Sequence, residues 1–292
     1  MNKLKKVLIT GAAGGFGTVI IEALLKEGFT VTGAMRDVGG RNKQAAKILE
    51  KNGVSVVDID VTDDESVVTG VSQAATQMGG IDILINNAGL GAGGIQEGFT
   101  ADDWKKVFDV NVFGVQRMTR AVLPFMKQQQ QGLLMLISSL SARLSVPFQG
   151  PYSPSKWAAE ALVESYRIEV SNLGIETCII EPGAFPTPFI GSLLQPSEKG
   201  RSSDYGAIKD LPATLLASVE SVFEAHPEQK PELVSNAVID LIKLPHGQRP
   251  MRTEVGRMFM GDLVAPMNQQ LAEANEKLYE AFQMKHLTIV KT

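Results

Sequence analysis

Short apolar runs rich in β-branched residues alternate with longer segments of helical period over most of the chain. The runs that predict β-strands lie at residues 6–9, 30–33, 54–58, 81–85, 133–137 and 176–180. The segments between them that predict α-helices lie at residues 19–26, 45–51, 65–78, 103–126 and 155–173. Strands separated by helices need right-handed crossovers, so the alternation predicts an α/β fold: a doubly wound parallel sheet with helices on both faces.

The alternation fades after residue 183 into helical segments separated by Pro and Gly. These segments lie at residues 211–224, 231–243 and 267–284, and one short candidate strand lies at 252–255. Open α/β sheets bind ligands at the carboxyl ends of their strands, so we predict that this tail forms a C-terminal helical lobe covering the substrate there. We expect residues 1–292 to form a single domain, with residues 184–245 as a substrate loop and residues 246–292 as a C-terminal extension.

The charge balance argues against a nucleic-acid partner, since 28 Lys and Arg against 32 Asp and Glu give a net charge of -4. The single cysteine, Cys178, excludes an intramolecular disulfide and a cysteine-based metal cluster, and it fits a reducing compartment. No apolar run approaches the roughly 20 residues of a membrane-spanning helix, and the first run ends after Ile9, too early for a secretory leader. We therefore expect a cytoplasmic protein without a membrane span.

A glycine-rich turn follows the first predicted strand and precedes the first predicted helix. Without a Cβ atom, backbone N–H groups in such a turn can approach a pyrophosphate, and the helix N-terminus adds partial positive charge. A tight turn with only a structural role is the alternative. We predict a dinucleotide-binding turn formed by Gly11, Ala13, Gly14, Gly15, Phe16 and Gly17.

The residue after the second strand indicates which dinucleotide the turn serves. An acidic residue there would bind the ribose hydroxyls of NAD, whereas an arginine suits the 2′-phosphate of NADP. The strand ends at Met35, and Arg36 follows. The sequence therefore favours NADP(H) over NAD(H), with the neighbouring Asp37 as the alternative ribose ligand.

Tyr152 and Lys156 are spaced so that a helix places both side chains on one face. A free tyrosine has a pKa of about 10, and a desolvated ammonium nearby can lower that value by stabilising the phenolate. Pro154 falls in the expected first helical turn, where a missing N–H is harmless. This pair predicts a proton donor and its activator, although a tyrosine and a lysine at this spacing also occur by chance on helix surfaces.

With further motifs at the predicted strand ends, the chain resembles the classical short-chain dehydrogenases/reductases over residues 5–191. The residues that carry the resemblance are Thr10 to Gly17, Asp60-Val61, Asn86-Asn87-Ala88-Gly89, Asn111, Ser138-Ser139, Tyr152 with Lys156, and Pro182-Gly183 with Thr187. The resemblance implies a Rossmann fold and an NAD(P)-dependent enzyme that interconverts alcohols and carbonyl compounds.

The same resemblance implies roles for individual residues. Tyr152 would be the general acid in reduction, and Lys156 would lower its pKa and hold the nicotinamide ribose. Ser139 would hydrogen-bond the substrate oxygen, with Ser138 as the nearby alternative, and Asn111 would hold a water that relays protons. Further implied cofactor contacts are those of Asp60, Val61, Asn87, Ala88, Gly89, Pro182, Gly183 and Thr187.

The substrate stays open at this point, although residues 150–160 and the long tail resemble the retinol and 17β-hydroxysteroid dehydrogenase branch. The tail supplies apolar residues that either line a pocket for a lipophilic alcohol or ketone or only pack the lobe: Phe185, Phe189, Leu193, Leu194, Tyr205, Leu211, Leu215 and Leu216. Gly14 and Gly15 also satisfy the turn of sugar-nucleotide epimerases. Epimerase or dehydratase chemistry and a non-catalytic NADP(H)-binding redox sensor are therefore the alternatives to an NADP(H)-dependent oxidoreductase.

We expect no metal, because His226, His246 and His286 are scattered without ligand spacing. In the family that the chain resembles, the helices predicted at 103–126 and 155–173 commonly form a dimer interface. A homodimer or homotetramer is therefore expected. The candidate interface residues are Val107, Val110, Leu162, Tyr166 and Val170, which would otherwise pack on the chain's own sheet.

Overall fold

The computed structural model describes residues 4–256 and 260–291, so the basic opening of the chain at residues 1–3 lies outside the described residues. A seven-stranded sheet, in the order β3-β2-β1-β4-β5-β6-β7, forms the centre, and all its strands are parallel. The strands are β1 (Lys6–Thr10), β2 (Thr30–Met35), β3 (Ser55–Asp58), β4 (Ile83–Asn86), β5 (Gly132–Ile137), β6 (Ile175–Pro182) and β7 (Arg252–Val255). The predicted doubly wound parallel sheet is confirmed.

Helices cover both faces of this sheet. They are α1 (Phe16–Lys26), α2 (Lys43–Lys51), α3 (Asp64–Met78), α4 (Ala101–Phe108), α5 (Gly114–Gln129), α6 (Tyr152–Val170), α7 (Leu211–Ala225), α8 (Glu232–Lys243) and α9 (Gly261–Ala281). One core cluster contains side chains of α1, α2 and α8, and those of α3 and α5 form another on the opposite face. Within β1, Val7 and Ile9 belong to the first cluster and Leu8 to the second, which is why this strand is apolar at successive positions.

The helix predicted over residues 103–126 is in fact two helices, which corrects the prediction. A π-helical turn at Asp109–Phe113 separates α4 from α5. Such turns insert one extra residue into a helix and often occur at functional sites. Here the turn places the side chain of Asn111 in the protein interior.

Some of the residues predicted for a dimer interface are buried in the chain's own core. Val107 and Val170 are almost fully buried in the chain's own core, so they are not available to a partner. Leu162 and Tyr166 are half-buried and pack against core clusters, and Val110 is half-buried. The physical reason is that each helix must bury one face on its own sheet before any face remains for assembly.

The C-terminal lobe lies against the carboxyl edge of the sheet. A 3₁₀-helical segment, Lys199–Asp210, precedes α7, and none of the described side chains of α7 is buried. The chain then returns to the sheet through α8, β7 and α9, and α9 begins at Gly261, earlier than predicted. Among the described residues, no helix is long and apolar enough to cross a bilayer.

Candidate active site

A cleft of about 1490 Å³ opens at the carboxyl ends of β1, β4, β5 and β6. Because β1 lies between β2 and β4, the strand order reverses here, and open α/β sheets bind ligands at such a point. The predicted site residues that line the cleft are Gly11, Ala13, Gly14, Gly15, Phe16, Arg36, Asp60, Val61, Asn87, Ala88, Gly89, Ser139, Tyr152, Lys156, Pro182, Gly183 and Thr187. Two further predicted residues, Gly17 and Asn111, do not line it.

The glycine turn has room for a ligand on one side and none on the other. A Cβ atom added to Gly14 or Gly15 would meet nothing within 4 Å, whereas one added to Gly17 would lie 2.3 Å from the carbonyl oxygen of Gly11. Gly11 and Gly15 also have positive φ angles of 67° and 54°. The open backbone beside the N-terminus of α1 fits the pyrophosphate of a dinucleotide, and Gly17 closes the turn from behind.

Thr10 ties the glycine turn to the loop after β4. Its Oγ1 accepts hydrogen bonds from the backbone N–H groups of Asn87 and Ala88, each at 3.0 Å. In return, Asn87 Nδ2 donates to the carbonyl oxygens of Thr10 and Gly11, at 2.9 and 3.2 Å. No separate role for Thr10 was predicted, yet its contacts fix two walls of the cleft relative to each other.

Arg36 faces the cleft and Asp37 does not. Asp37 has a φ of 55°, and its carboxylate accepts a hydrogen bond from the backbone N–H of Arg41 at 2.9 Å, within its own turn. The Arg36 side chain lines the cleft, with Nη1 4.0 Å from Oδ2 of Asp60. A ligand at this end of the cleft would therefore meet the Arg36 guanidinium and not the Asp37 carboxylate.

Asp60 is held as a carboxylate beside that arginine. Its Oδ1 accepts hydrogen bonds from the backbone N–H and the hydroxyl of Thr62, at 3.0 and 2.7 Å. Although burial opposes the charge, the Thr62 hydrogen bonds and the charges of Arg36 and Arg117 hold the pKa of Asp60 below its usual value. Asp60 thus presents a fixed acceptor to this end of the cleft.

Tyr152 and Lys156 lie in the first turns of α6, both buried. Burial raises the pKa of Tyr152 to about 12, partly offset by a hydrogen bond with Ser139. Burial lowers the pKa of Lys156 to about 8, partly offset by the charge of Glu160. The direction for Tyr152 is opposite to the lowering that the sequence predicted, because burial removes the phenol from water. The Lys156 ammonium donates a hydrogen bond to the carbonyl oxygen of Ile137 at 2.9 Å.

The two serines after β5 point in different directions. Ser138 Oγ donates a hydrogen bond to Oε1 of Glu160 at 2.6 Å. Ser139 Oγ accepts a hydrogen bond from the backbone N–H of Ser141 at 3.1 Å and hydrogen-bonds the Tyr152 phenol. Ser139 is therefore the serine that a carbonyl oxygen beside Tyr152 would meet.

The Asn111 amide is bound by protein groups on all sides. Its Oδ1 accepts from the backbone N–H of Leu90 at 2.7 Å, and its Nδ2 donates to the Leu90 carbonyl and to Ser155 Oγ, each at 2.9 Å. The side chain fastens the loop after β4 to the start of α6. That Asn111 also holds a water remains a prediction.

Beyond β6, the chain forms the remaining walls of the cleft. The backbone N–H of Gly183 donates to the carbonyl oxygen of Val255 at 2.8 Å, which fixes the turn that leads to Thr187. The Phe189 ring centroid lies 5.7 Å from that of Tyr152, so an apolar wall stands beside the phenol. Apolar residues that continue this wall are Leu193, Leu215, Leu216, Val219, Val222 and Phe223.

Several other residues predicted for a substrate pocket have structural contacts instead. Phe185 lines the cleft but packs edge to face on Phe16, with centroids 5.4 Å apart. Leu194 packs against the small core cluster that contains Tyr152, and the Tyr205 hydroxyl donates to Glu97 at 2.9 Å. Leu211 is exposed on α7 and does not line the cleft.

The arrangement suits proton transfer to a bound carbonyl group. The cleft brings together the Tyr152 phenol, the Ser139 hydroxyl and the Lys156 ammonium group. One end of the cleft fits a dinucleotide, and the other end is apolar. Sequence comparison gives the same result, since a family model described as short chain dehydrogenase matches residues 5–197. The chain belongs to the short-chain dehydrogenase family.

The relatives of this short-chain dehydrogenase differ in how much of their length aligns with it. It is 34% identical over 251 residues to 3-ketodihydrosphingosine reductase of Bacteroides thetaiotaomicron, covering 86% of this chain and 87% of the relative. It is 37% identical over 195 residues to human retinol dehydrogenase 8, covering 65% and 62% of the two chains. A short-chain dehydrogenase structure from Streptomyces avermitilis superposes with a TM-score of 0.76 at 28% identity, covering 97% and 98% of the two chains.

These comparisons establish that the chain is an NAD(P)-dependent dehydrogenase or reductase. Among solved structures of similar fold, one holds 5-hydroxy-NADP and another holds NAD, so both cofactors occur on this fold.

Proposed function

We propose that this enzyme is an NADPH-dependent reductase of lipophilic ketones, which it converts to secondary alcohols. The observation that supports it is the meeting of the Tyr152 phenol with the Ser139 hydroxyl in the cleft, beside the apolar wall at Phe189. The phenol can donate a proton to a carbonyl oxygen bound there. Ser139 supplies a second hydrogen bond to that oxygen and stabilises the negative charge that develops on it.

The proposed cofactor site follows the cleft from Arg36 to Thr187. Arg36 would bind the 2′-phosphate, and the glycine turn with the N-terminus of α1 would bind the pyrophosphate. Lys156 and the loop at Asn87 would hold the nicotinamide half. When bound, the cofactor supplies the hydride that reduces the carbonyl carbon.

Lys156 has two proposed tasks in the reaction. Its ammonium, which now donates to the Ile137 carbonyl, lies over the Tyr152 ring with Nζ 5.8 Å from the centroid. A positive charge at this place stabilises the phenolate that remains after Tyr152 gives up its proton. The same ammonium can donate to ribose hydroxyl groups on the cleft side.

The proposed substrate class is a long-chain ketone. The wall at Phe189, together with the apolar side chains of α7, offers a surface for a hydrocarbon chain next to the phenol. The relative that is matched over most of its length is named for a reaction on 3-ketodihydrosphingosine, whereas the match to a retinol dehydrogenase is shorter. The segment at residues 184–245 would act as the substrate loop, and residues 246–292 as an extension of the same domain.

A carbonyl screen with NADPH tests the proposal. The purified protein is incubated with NADPH and, in turn, a 3-keto sphingoid base, retinal, and a short-chain ketone with the same head group as the sphingoid base. We expect net loss of the reduced nicotinamide absorbance with the long-chain 3-ketone and much slower loss with the short-chain ketone. Binding of NADPH without net turnover would support the sensor alternative, and conversion of a sugar nucleotide without net NADPH loss would support the epimerase alternative.

The cytoplasmic location and the homodimer or homotetramer remain predictions of this proposal. Phe113 and Trp157 are large side chains that α6 and the π-helical turn leave exposed, so they are the candidates for a subunit contact. Size-exclusion chromatography with light scattering measures the oligomeric state directly, and a monomer at high concentration would contradict the prediction.

A further inference from the structure

A buried cluster of charged side chains lies behind the two serines that follow β5. It consists of Glu160 on α6, Glu181 at the end of β6, Arg143 after the serine segment and Arg252 on β7. Both carboxylates are fully buried, and the two guanidinium groups are nearly so. We call these four residues the Glu160 cluster.

Glu160 stands at the centre of this cluster. Its Oε2 lies 2.5 Å from Nη2 of Arg143 and 3.1 Å from Nε of Arg252, and its Oε1 accepts the hydroxyl of Ser138 at 2.6 Å. Ser138 immediately precedes Ser139, and Arg143 ends the short 3₁₀ helix at Leu140–Ala142. One carboxylate on α6 therefore holds both ends of the segment that carries Ser139.

Burying charges is costly, which sets this cluster apart from ordinary packing. Removing an ion from water has a large desolvation penalty, so apolar side chains of the same volume often stabilise a core at least as well. What a fully bonded buried network does supply is a fixed geometry. Here the geometry that is fixed is the distance between the serine segment and α6, the helix that bears Tyr152 and Lys156.

Glu160 also lies one helical turn after Lys156 and acts on its charge. Its carboxylate favours the ammonium form and partly offsets the burial that lowers the pKa of Lys156 to about 8. Two neutral groups lie against Lys156: the Ile137 carbonyl from β5 and the Tyr152 ring from α6. The positive charges of the cluster, on Arg143 and Arg252, are paired with the Glu160 carboxylate.

The second carboxylate of the cluster is that of Glu181. Burial, together with repulsion from Glu160, raises the pKa of Glu181, although Asn268, Arg143 and Arg252 oppose the rise. Asn268 Nδ2 donates to Oε2 of Glu181 at 2.5 Å, so α9 also supports the cluster. Glu160 is the carboxylate whose charge acts on Lys156.

We propose that Glu160 is a positioning residue for the reaction: it holds Ser139 in register with Tyr152 through Ser138 and Arg143, and it keeps Lys156 in the ammonium form. This inference rests on the roles proposed above for Ser139, Tyr152 and Lys156. Glu160 does not line the cleft, so it acts through these residues and not on the substrate.

The test compares Glu160→Gln with Glu164→Gln. Glu164 lies one turn further along α6 and pairs with Arg252 at 2.7 Å, but it makes no contact with the serine segment among the described residues. Both substitutions remove one carboxylate from the same arginine while keeping the side-chain size. Their difference therefore isolates the contacts of Glu160 with Ser138 and Arg143 and its electrostatic effect on Lys156.

For Glu160→Gln we expect kcat for ketone reduction to fall about tenfold with little change in the KM for NADPH, because the effect is on the aligned reacting groups. The alkaline limb of the kcat profile should move down by about one pH unit, since the ammonium of Lys156 loses its nearest negative charge. In protein without cofactor, an NMR titration of carbon-labelled lysine should show that the midpoint for Lys156 also moves down by about one pH unit. Glu164→Gln should leave the limb and the NMR midpoint where they are in the unsubstituted enzyme.

An unshifted limb and midpoint in Glu160→Gln, or an equal shift in Glu164→Gln, would overturn the inference. If Glu160→Gln does not fold, Ser138→Ala tests the positioning arm alone: kcat should fall without movement of the alkaline limb, and unchanged kcat would contradict the role of Ser138. Failure of the unsubstituted enzyme to consume NADPH with any ketone would instead contradict the proposed function, and the NMR titration would still test the effect of Glu160 on Lys156.

Discussion

Replacement of Arg36 by alanine is expected to weaken the binding of NADPH much more than that of NADH. Arg36 lines the cleft directly after β2, and its Nη1 lies 4.0 Å from Oδ2 of Asp60, beyond hydrogen-bond distance. Asn42 Nδ2 donates to the Arg36 carbonyl at 2.7 Å and so fixes its backbone. Among the described residues, no acceptor lies within hydrogen-bond distance of the guanidinium, so its donors can bind a 2′-phosphate, which NADH lacks.

The size of the effect follows from the exposure of this side chain. A hydrogen bond to a charged group contributes about 1.5 to 3 kcal/mol in proteins. Because the Arg36 side chain is 54% exposed, solvent screening keeps its contribution near the lower end of that range. About 1.4 kcal/mol corresponds to a tenfold change in affinity, so the Kd for NADPH should rise about tenfold and that for NADH by less than about twofold.

The assay is a fluorescence titration of each protein with NADPH and NADH at one fixed ionic strength. Arg41→Ala is the matched control, because Arg41 lies in the same turn and has the same charge but does not line the cleft. It should leave both affinities unchanged. Equal weakening of NADPH and NADH binding by Arg36→Ala, or equal effects of the two substitutions on NADPH, would refute the 2′-phosphate assignment.

Two further substitutions test the supports of the cleft by chemical denaturation. Gly17→Ala places a Cβ atom 2.3 Å from the Gly11 carbonyl oxygen and should lower the free energy of unfolding by about 1 to 3 kcal/mol. Gly14→Ala adds its Cβ atom to open space and should change the free energy of unfolding by less than about 0.5 kcal/mol. Equal losses of stability in the two variants would contradict the close packing described at Gly17. Asp103 is buried, and although burial opposes its charge, hydrogen bonds from Ser197 and Thr100 lower its pKa from 3.8 to about 2. Its carboxylate therefore adds stability above about pH 4 that is lost as the pH falls through about 2, so Asp103→Asn should destabilise the protein at neutral pH and progressively less in acid. A loss of stability in Asp103→Asn that does not depend on pH would show that the charge of Asp103 does not stabilise the protein.

The fold was predictable because strands that are buried on both faces have apolar residues at successive positions. β1 and β5 are apolar at successive positions since both faces of the sheet are covered, and helices of regular period separate them. The break between α4 and α5 was not predicted, because the helical period of residues 103–126 continues across it. Its consequence, the contact between Asn111 and the Leu90 backbone, exists only in the folded chain.

At the site, sequence motifs identified the residues that line the cleft but not the directions of their side chains. The choice between Ser138 and Ser139 depends on Glu160, which comes close to them only in the folded chain. The Glu160 cluster itself had a weak signal, since Glu181 interrupts an apolar strand and Glu160 follows Lys156 by one helical turn. The pKa of Tyr152 could not be predicted, because burial and hydrogen bonds arise from tertiary structure.

The most direct test of the account is a single-turnover reaction of enzyme-bound NADPH with a long-chain ketone, for the unsubstituted protein and for Tyr152→Phe. Loss of the phenol removes the proton donor, so hydride transfer should slow by about a hundredfold or more, while titration shows unchanged NADPH binding. That pair of results would support an NADPH-dependent reductase in which Tyr152 donates the proton. Equal rates of NADPH consumption in the two proteins would contradict the central claim.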